Sequence, residues 1–105
     1  MDADFRKLEH IMGERVVDPG GHRIGKVTQV ALEPQTLQAE WLVLKTSRFG
    51  RRPRLVPIKG AVDQGDTILV PFSKEMVLGA PVPAVPTSPG GSEIAALHQH
   101  YGVAA

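Results

Sequence analysis

Residues 15–32 read Arg-Val-Val-Asp-Pro-Gly-Gly-His-Arg-Ile-Gly-Lys-Val-Thr-Gln-Val-Ala-Leu, two β-like runs divided by a cluster of turn formers. In Asp18-Pro19-Gly20-Gly21, Pro19 presets φ at the second turn position and Gly20 supplies the positive φ that a type II turn needs at the third. The chain is expected to reverse there. In the second run Ile24, Val30 and Leu32 share one parity, whereas Val27, just after Gly25, falls on the other. A glycine beside such a change of phase predicts a bulge or a close backbone approach.

Working outward, Glu33-Pro34-Gln35-Thr36 reads as a second turn, and Glu40 to Thr46 as a third run. Its centre, Trp41-Leu42-Val43-Leu44, is apolar at every position, so both faces of that strand need cover. Arg54-Leu55-Val56-Pro57-Ile58 follows, and Pro57, which lacks an amide proton, favours an edge or a bulge. Gly65-Asp66 then turns the chain into Thr67 to Phe72, with Ile68, Val70 and Phe72 on one face. Upstream, Phe5, Leu8, Ile11 and Met12 have near-helical spacing. Short strands linked by tight turns, with no long helix, predict a mainly β fold, a small antiparallel barrel. Val16, Ile24, Val30, Leu32, Val43, Leu55, Ile68, Val70 and Phe72 are its expected buried set.

Ser73 is placed to cap a short turn over 74–78, with Gly79 as its stop. From Ala80 to Gly91 the composition shifts to four of the nine prolines with Ala, Val, Ser and Gly, which predicts an extended linker. Ser92 is expected to cap a short C-terminal helix, Glu93 to Tyr101, carrying Ile94, Leu97 and Tyr101 on one face and ending at Gly102. So short a helix is marginal alone in water and must dock. The organisation read from the sequence is a barrel over 1–79 (core about 11–79), a Pro/Gly-rich linker over 80–92 and a helix over 93–102.

At 105 residues and 11.3 kDa the chain has material for one core, and 42% apolar with 22% charged residues is an ordinary folded composition. A net charge of +1 excludes a strongly basic tail and an acidic solvating protein alike. The absence of cysteine excludes disulfides, thiolate nucleophiles, iron–sulfur clusters and zinc ribbons. Trp41–Leu44 is too short an apolar run to span a bilayer, and Met-Asp-Ala-Asp-Phe does not open a signal peptide, so the expected location is the cytoplasm without membrane insertion.

No Walker sequence, Gly-x-Ser-x-Gly or His-Glu-x-x-His occurs, and Asp18, Glu33 and Asp66 fall at turns, where short polar side chains bond backbone. The expectation is a protein without catalytic residues, cofactor or metal. His98 and His100, two apart on a helix, point about 200° from each other, so one ion cannot take both. His10 and His22 have no metal-motif spacing, and all four histidines read as surface or helix-packing residues. The most distinctive local feature is the run Lys45, Arg48, Arg51, Arg52, Arg54 and Lys59, half of the twelve Lys and Arg, with no acid between Glu40 and Asp63. It reads as a solvated loop, a docking site for a protein or acidic ligand, or, with Phe49 for stacking, a nucleic-acid contact.

The stretch Ile11 to Pro81 resembles the PRC-barrel family, the small β-barrel of the photosynthetic reaction-centre H subunit and of the ribosome maturation factor. The resemblance rests on Met12-Gly13-Glu14-Arg15-Val16-Val17-Asp18 with Gly21, Ile24-Gly25-Lys26-Val27, Glu33-Pro34-Gln35-Thr36 and Ala39-Glu40-Trp41-Leu42-Val43-Leu44. Leu55-Val56-Pro57-Ile58 and Ser73-Lys74-Glu75-Met76 ahead of Ala80-Pro81 complete it. It implies a binding and assembly module without shared catalytic residues, usually a homodimer; the basic segment Ser47 to Arg54 departs from the family's common hydrophobic-glycine loops. The resulting expectation is a self-associating, non-enzymatic adaptor that binds another protein. Trp41, Leu42, Val43, Leu44, Ile94, Leu97 and Tyr101 are its dimer or helix-docking residues. The alternative is an RNA- or ribosome-associated module using the basic loop 45–59.

Overall fold

The computed structural model describes residues 8–46 and 52–103. A helical turn, α1 (Leu8–Ile11), leads into β1 (Arg15–Val17), β2 (Arg23–Leu32), β3 (Ala39–Lys45), β4 (Arg54–Pro57), β5 (Val62–Asp63) and β6 (Thr67–Leu69). Helices α2 (Lys74–Leu78) and α3 (Gly91–Tyr101) follow. Phe5, Arg48, Phe49 and Arg51 lie outside the described residues.

The six strands form one sheet in the order β4-β3-β2-β1-β6-β5. This corrects the expected closed antiparallel barrel with a single short C-terminal helix: the sheet is open, the fold is mixed α and β, and α2 joins α3. Two features oppose closure. The outer strands offer little to pair, since β4 ends in Pro57, which cannot donate, and β5 is two residues long. At the centre, β1 and β6 run parallel, Val16 beside Ile68, and Val70 extends the pairing by donating its amide to the Val17 carbonyl (3.1 Å).

The β1–β2 reversal occurs where expected but with different geometry. Gly21 donates to the Asp18 carbonyl (2.9 Å) and carries the positive φ (84°) that was assigned to Gly20, so the loop has the form of a type I turn followed by a left-handed glycine. Gly25 shows the anticipated close approach: a Cβ there would stand 2.4 Å from the Lys45 carbonyl oxygen across the ladder. The β1–β2 register slips beside it, and β2–β3 slips twice more, between Val27 and Gln29 and between Ala31 and Leu32. These shifts rotate which side chains face inward. Val27 and Ala31 are buried, Val30 is half-buried and Leu32 is 41% exposed, which corrects the placing of Val30 and Leu32 in the buried set. Phe72 is half-buried too, while Val16, Ile24, Val43, Leu55, Ile68 and Val70 are buried as expected.

The turn expected after Ser73 is the helix α2, its N-cap hydroxyl accepting from the Met76 amide (3.1 Å). Asp18, the one buried charged residue among those described, fastens α2 to the β1–β2 turn. Its carboxylate accepts from the amides of Gly20 (3.0 Å), His22 (2.8 Å) and Lys74 (3.0 Å). The His22 ring lies within 3.1 Å as well. Burial by itself raises the Asp18 pKa, but the Lys74 and His22 amides and the His22 ring outweigh it and hold the carboxyl below its ordinary value.

Two outcomes follow for stability. Gly25→Ala forces β2 away from β3 and lowers the midpoint of denaturant unfolding, while Ile68→Ala, in the core, costs about 2–5 kcal/mol. Because the folded pKa of Asp18 is depressed, its contribution is complete above the unfolded value of about 3.9 and disappears as pH falls through the lower folded value. Thermal melts from pH 7 to pH 2 should therefore fall more steeply for the wild type than for Asp18→Asn, which starts lower and loses less.

Candidate interaction surface

The apolar run on β3 is completed by α3. Trp41, Leu42, Val43 and Leu44 are each at most 2% exposed, so both faces of the strand are covered within a single chain. On the Trp41 side the cover comes from α3: the His98 ring stacks on the indole at 5.4 Å, and the Tyr101 ring is tilted against it at 6.4 Å. Tyr101 also meets Phe72 edge-on (4.8 Å) and His100 (5.1 Å), placing it at the centre of an aromatic cluster. Its hydroxyl donates to the Leu55 carbonyl on the outer strand β4. Burial pushes the phenol far above its ordinary range, against the opposing pull of the Arg54 guanidinium. Leu97 is fully buried beside it, and Ile94 packs half-buried against the core.

Glu93, in the third helical position, fixes where α3 begins. Its carboxylate accepts from the amides of Gly90 (2.8 Å) and Ala84 (2.9 Å), and these bonds lower its pKa. The helix thus starts at Gly91 with Gly90 as N-cap, two residues ahead of the start expected from Ser92. At its far end Gly102, left-handed at φ 69°, stops it as anticipated. His98 and His100 diverge, as their spacing requires. The Nε2 atom of His98 stands 3.6 Å from the Glu40 carboxylate, and that of His100 lies 2.7 Å from the Met76 carbonyl of α2. Trp41 Nε1, Arg54 Nε and Glu40 Oε1 are buried with no hydrogen-bond partner among the described residues. Apolar burial holds this seam, with the Tyr101 hydroxyl and the two histidines as its polar contacts.

The basic run is only partly a surface feature. Lys45, Arg52 and Lys59 are exposed, and Arg52 donates to the Pro83 carbonyl (3.4 Å), whereas Arg54 is half-buried near Tyr101 rather than largely exposed. Arg48 and Arg51 lie outside the described residues. At the other end of the sheet, one donor atom from each of His10, Glu14 and Asp63 lies within 4.8 Å of the other two. Burial and then the Asp63 carboxylate raise the Glu14 pKa, with His10 opposing and Asp66 adding to the rise. Sequence reading passed over this grouping because Asp63 is remote in the chain; the signal present was His10 and Glu14 four residues apart.

No described helix is long and apolar enough to cross a membrane. An open sheet with a docked helix and a basic rim is the frame on which the comparison with known families bears. The PRC-barrel domain family matches residues 4–77, most of the chain. The chain belongs to that family, whose members are non-enzymatic protein-interaction modules. Comparison with curated proteins finds no match.

The chain's single tryptophan reports on the α3 seam. Leu97→Ala should cost about 2–5 kcal/mol and shift Trp41 fluorescence to the red as water reaches the indole. Tyr101→Phe, which leaves the Leu55 carbonyl without its donor, should cost about 1–3 kcal/mol and leave the emission near its wild-type position.

Proposed function

We propose that this PRC-barrel chain is a self-associating adaptor that works in the cytoplasm and binds a further protein through the basic rim of its sheet. The observation that carries the proposal is the exposure of Lys45, Arg52 and Lys59 at the end of β3 and on either side of β4. No acid intervenes between Glu40 and Asp63, so the rim presents a local positive field that an acidic protein surface complements. In this reading residues 1–79 are the interacting domain, 80–92 the linker, and 93–102 the helix that docks on it. Trp41, Leu42, Val43, Leu44, Leu97 and Tyr101 serve helix docking. Self-association then uses a different surface, and the open β5 edge with its half-exposed Val62 favours it.

The second reading, an RNA- or ribosome-associated module, draws on the same exposed Lys45, Arg52 and Lys59 and on the basic sequence of the loop 45–59. Light scattering at micromolar concentration tests self-association: twice 11.3 kDa supports it, and 11.3 kDa removes it. Arg52→Glu with Lys59→Glu separates the two classes of partner. Loss of RNA retention with a steep salt dependence in the wild type favours the nucleic-acid reading. If RNA is not retained by either form while an acidic protein co-elutes with the wild type alone, the adaptor reading stands.

A further inference from the structure

Among the described residues, one place gathers three groups able to ligate a metal: the seam between α1 and β5. His10 lies in the last turn of α1, Glu14 just before β1, and Asp63 at the end of β5. Their backbones are held by local bonds. Gly13, at φ 82°, donates to the Val27 carbonyl (2.7 Å), and Glu14 donates to the Ile11 carbonyl (3.1 Å), which fixes the bend that returns Glu14 toward His10. Asp63 is fixed through Oδ1, which accepts from the Gly65 amide (2.9 Å), while Gln64 donates to the Thr67 carbonyl (2.8 Å). Among the described residues no hydrogen bond is made to Asp63 Oδ2.

The charge balance of the seam calls for a cation. Glu14, Asp63 and Asp66 place three carboxylates in one neighbourhood, and none of them forms an ion pair with a described Lys or Arg. Glu14 Oε1 is in addition buried without a hydrogen-bond partner among the described residues, an arrangement that costs free energy until something positive or proton-bearing meets it. We propose that His10, Glu14 and Asp63 bind a first-row divalent transition ion of the Zn²⁺ type. The imidazole selects such an ion over Mg²⁺ and Ca²⁺, which prefer all-oxygen shells. A tetrahedral ion with bonds of about 2.0–2.2 Å needs its donors about 3.3–3.6 Å apart, and the three atoms, all within 4.8 Å of one another, reach that spacing by rotation of the exposed His10 ring and the half-buried carboxylates. Three protein donors leave the remaining positions to water, and the ion ties the first helical turn to the edge strand.

The test uses the full chain, stripped with chelator, with ZnCl2 or MgCl2 alone as the probe in calorimetric titration and thermal melts. One saturable zinc site and a melting temperature that rises with zinc but not with magnesium are expected. His10→Ala and Asp63→Asn should each weaken binding at least about tenfold, since even an outer-sphere partner is worth that much. His100→Ala, a control at a histidine outside the seam, should bind as the wild type does. The proposal is overturned if zinc shows no saturable site below about 1 mM. Binding by both His10→Ala and Asp63→Asn within tenfold of the wild type, or a loss confined to His100→Ala, overturns it equally.

Discussion

Strand β3 is apolar on both faces, and a single sheet has only one inside. The fold is arranged around that surplus. Trp41 cannot stay in water at an acceptable free energy, and α3, at 11 residues, is too short to persist alone, so each supplies what the other lacks. The segment between them is correspondingly restrained: Glu93 holds Ala84 and Gly90, and Arg52 holds Pro83. Those bonds reduce the conformational freedom that docking would otherwise have to suppress. The Tyr101 bond to Leu55 also sets the helix against the outer strand, a way of blunting a sheet edge that is open to unwanted pairing.

A second tie works through charge. Asp18 is buried, and its carboxylate is tolerated because backbone amides from the β1–β2 turn and from the start of α2 converge on it. The helix thus anchored presents the Met76 carbonyl to His100 on α3. A contiguous path therefore runs from the first hairpin through α2 to the helix that covers β3, and two polar contacts join segments that sequence separates widely. Each contact is small beside the apolar burial, but both are directional and fix the orientation of the parts that burial brings together.

What the sequence disclosed follows the range of the interactions involved. Local rules found the turn at Asp18–Gly21, the close approach at Gly25, the Ser73 cap and the Gly102 stop, because each depends on a residue and its immediate neighbours. The need for cover on Trp41–Leu44 was legible too. The identity of the cover was not, since a continuous apolar run looks the same beneath an intrachain helix and beneath a second subunit. Strand parity failed at Leu32 because the bulges of β2 and β3 are set by pairing between strands, and barrel closure failed because it depends on how Pro57 and the two-residue β5 meet across the sheet. The candidate surface was divided in the same way. The basic run was visible as a string of residues, but the half-burial of Arg54 and the approach of Asp63 to Glu14 come from the fold.

The net charge of +1 is an average that conceals this division. Arg52 and Lys59 flank β4, one edge strand, and Asp63 with Glu14 and Asp66 gathers at β5, the other, with only residues 58–61 of the chain between the two strands. Exposed charges act on one another over about 8–10 Å in physiological salt, and the turn between the two strands, closed by the Ala61 amide on the Ile58 carbonyl (2.9 Å), keeps Lys59 near Asp63 rather than isolated from it. A partner approaching β4 meets a positive field, whereas one approaching β5 meets carboxylates that favour a cation. The two edge strands thus carry opposite charge, and the short connection over 58–61 is where the basic run gives way to the carboxylates.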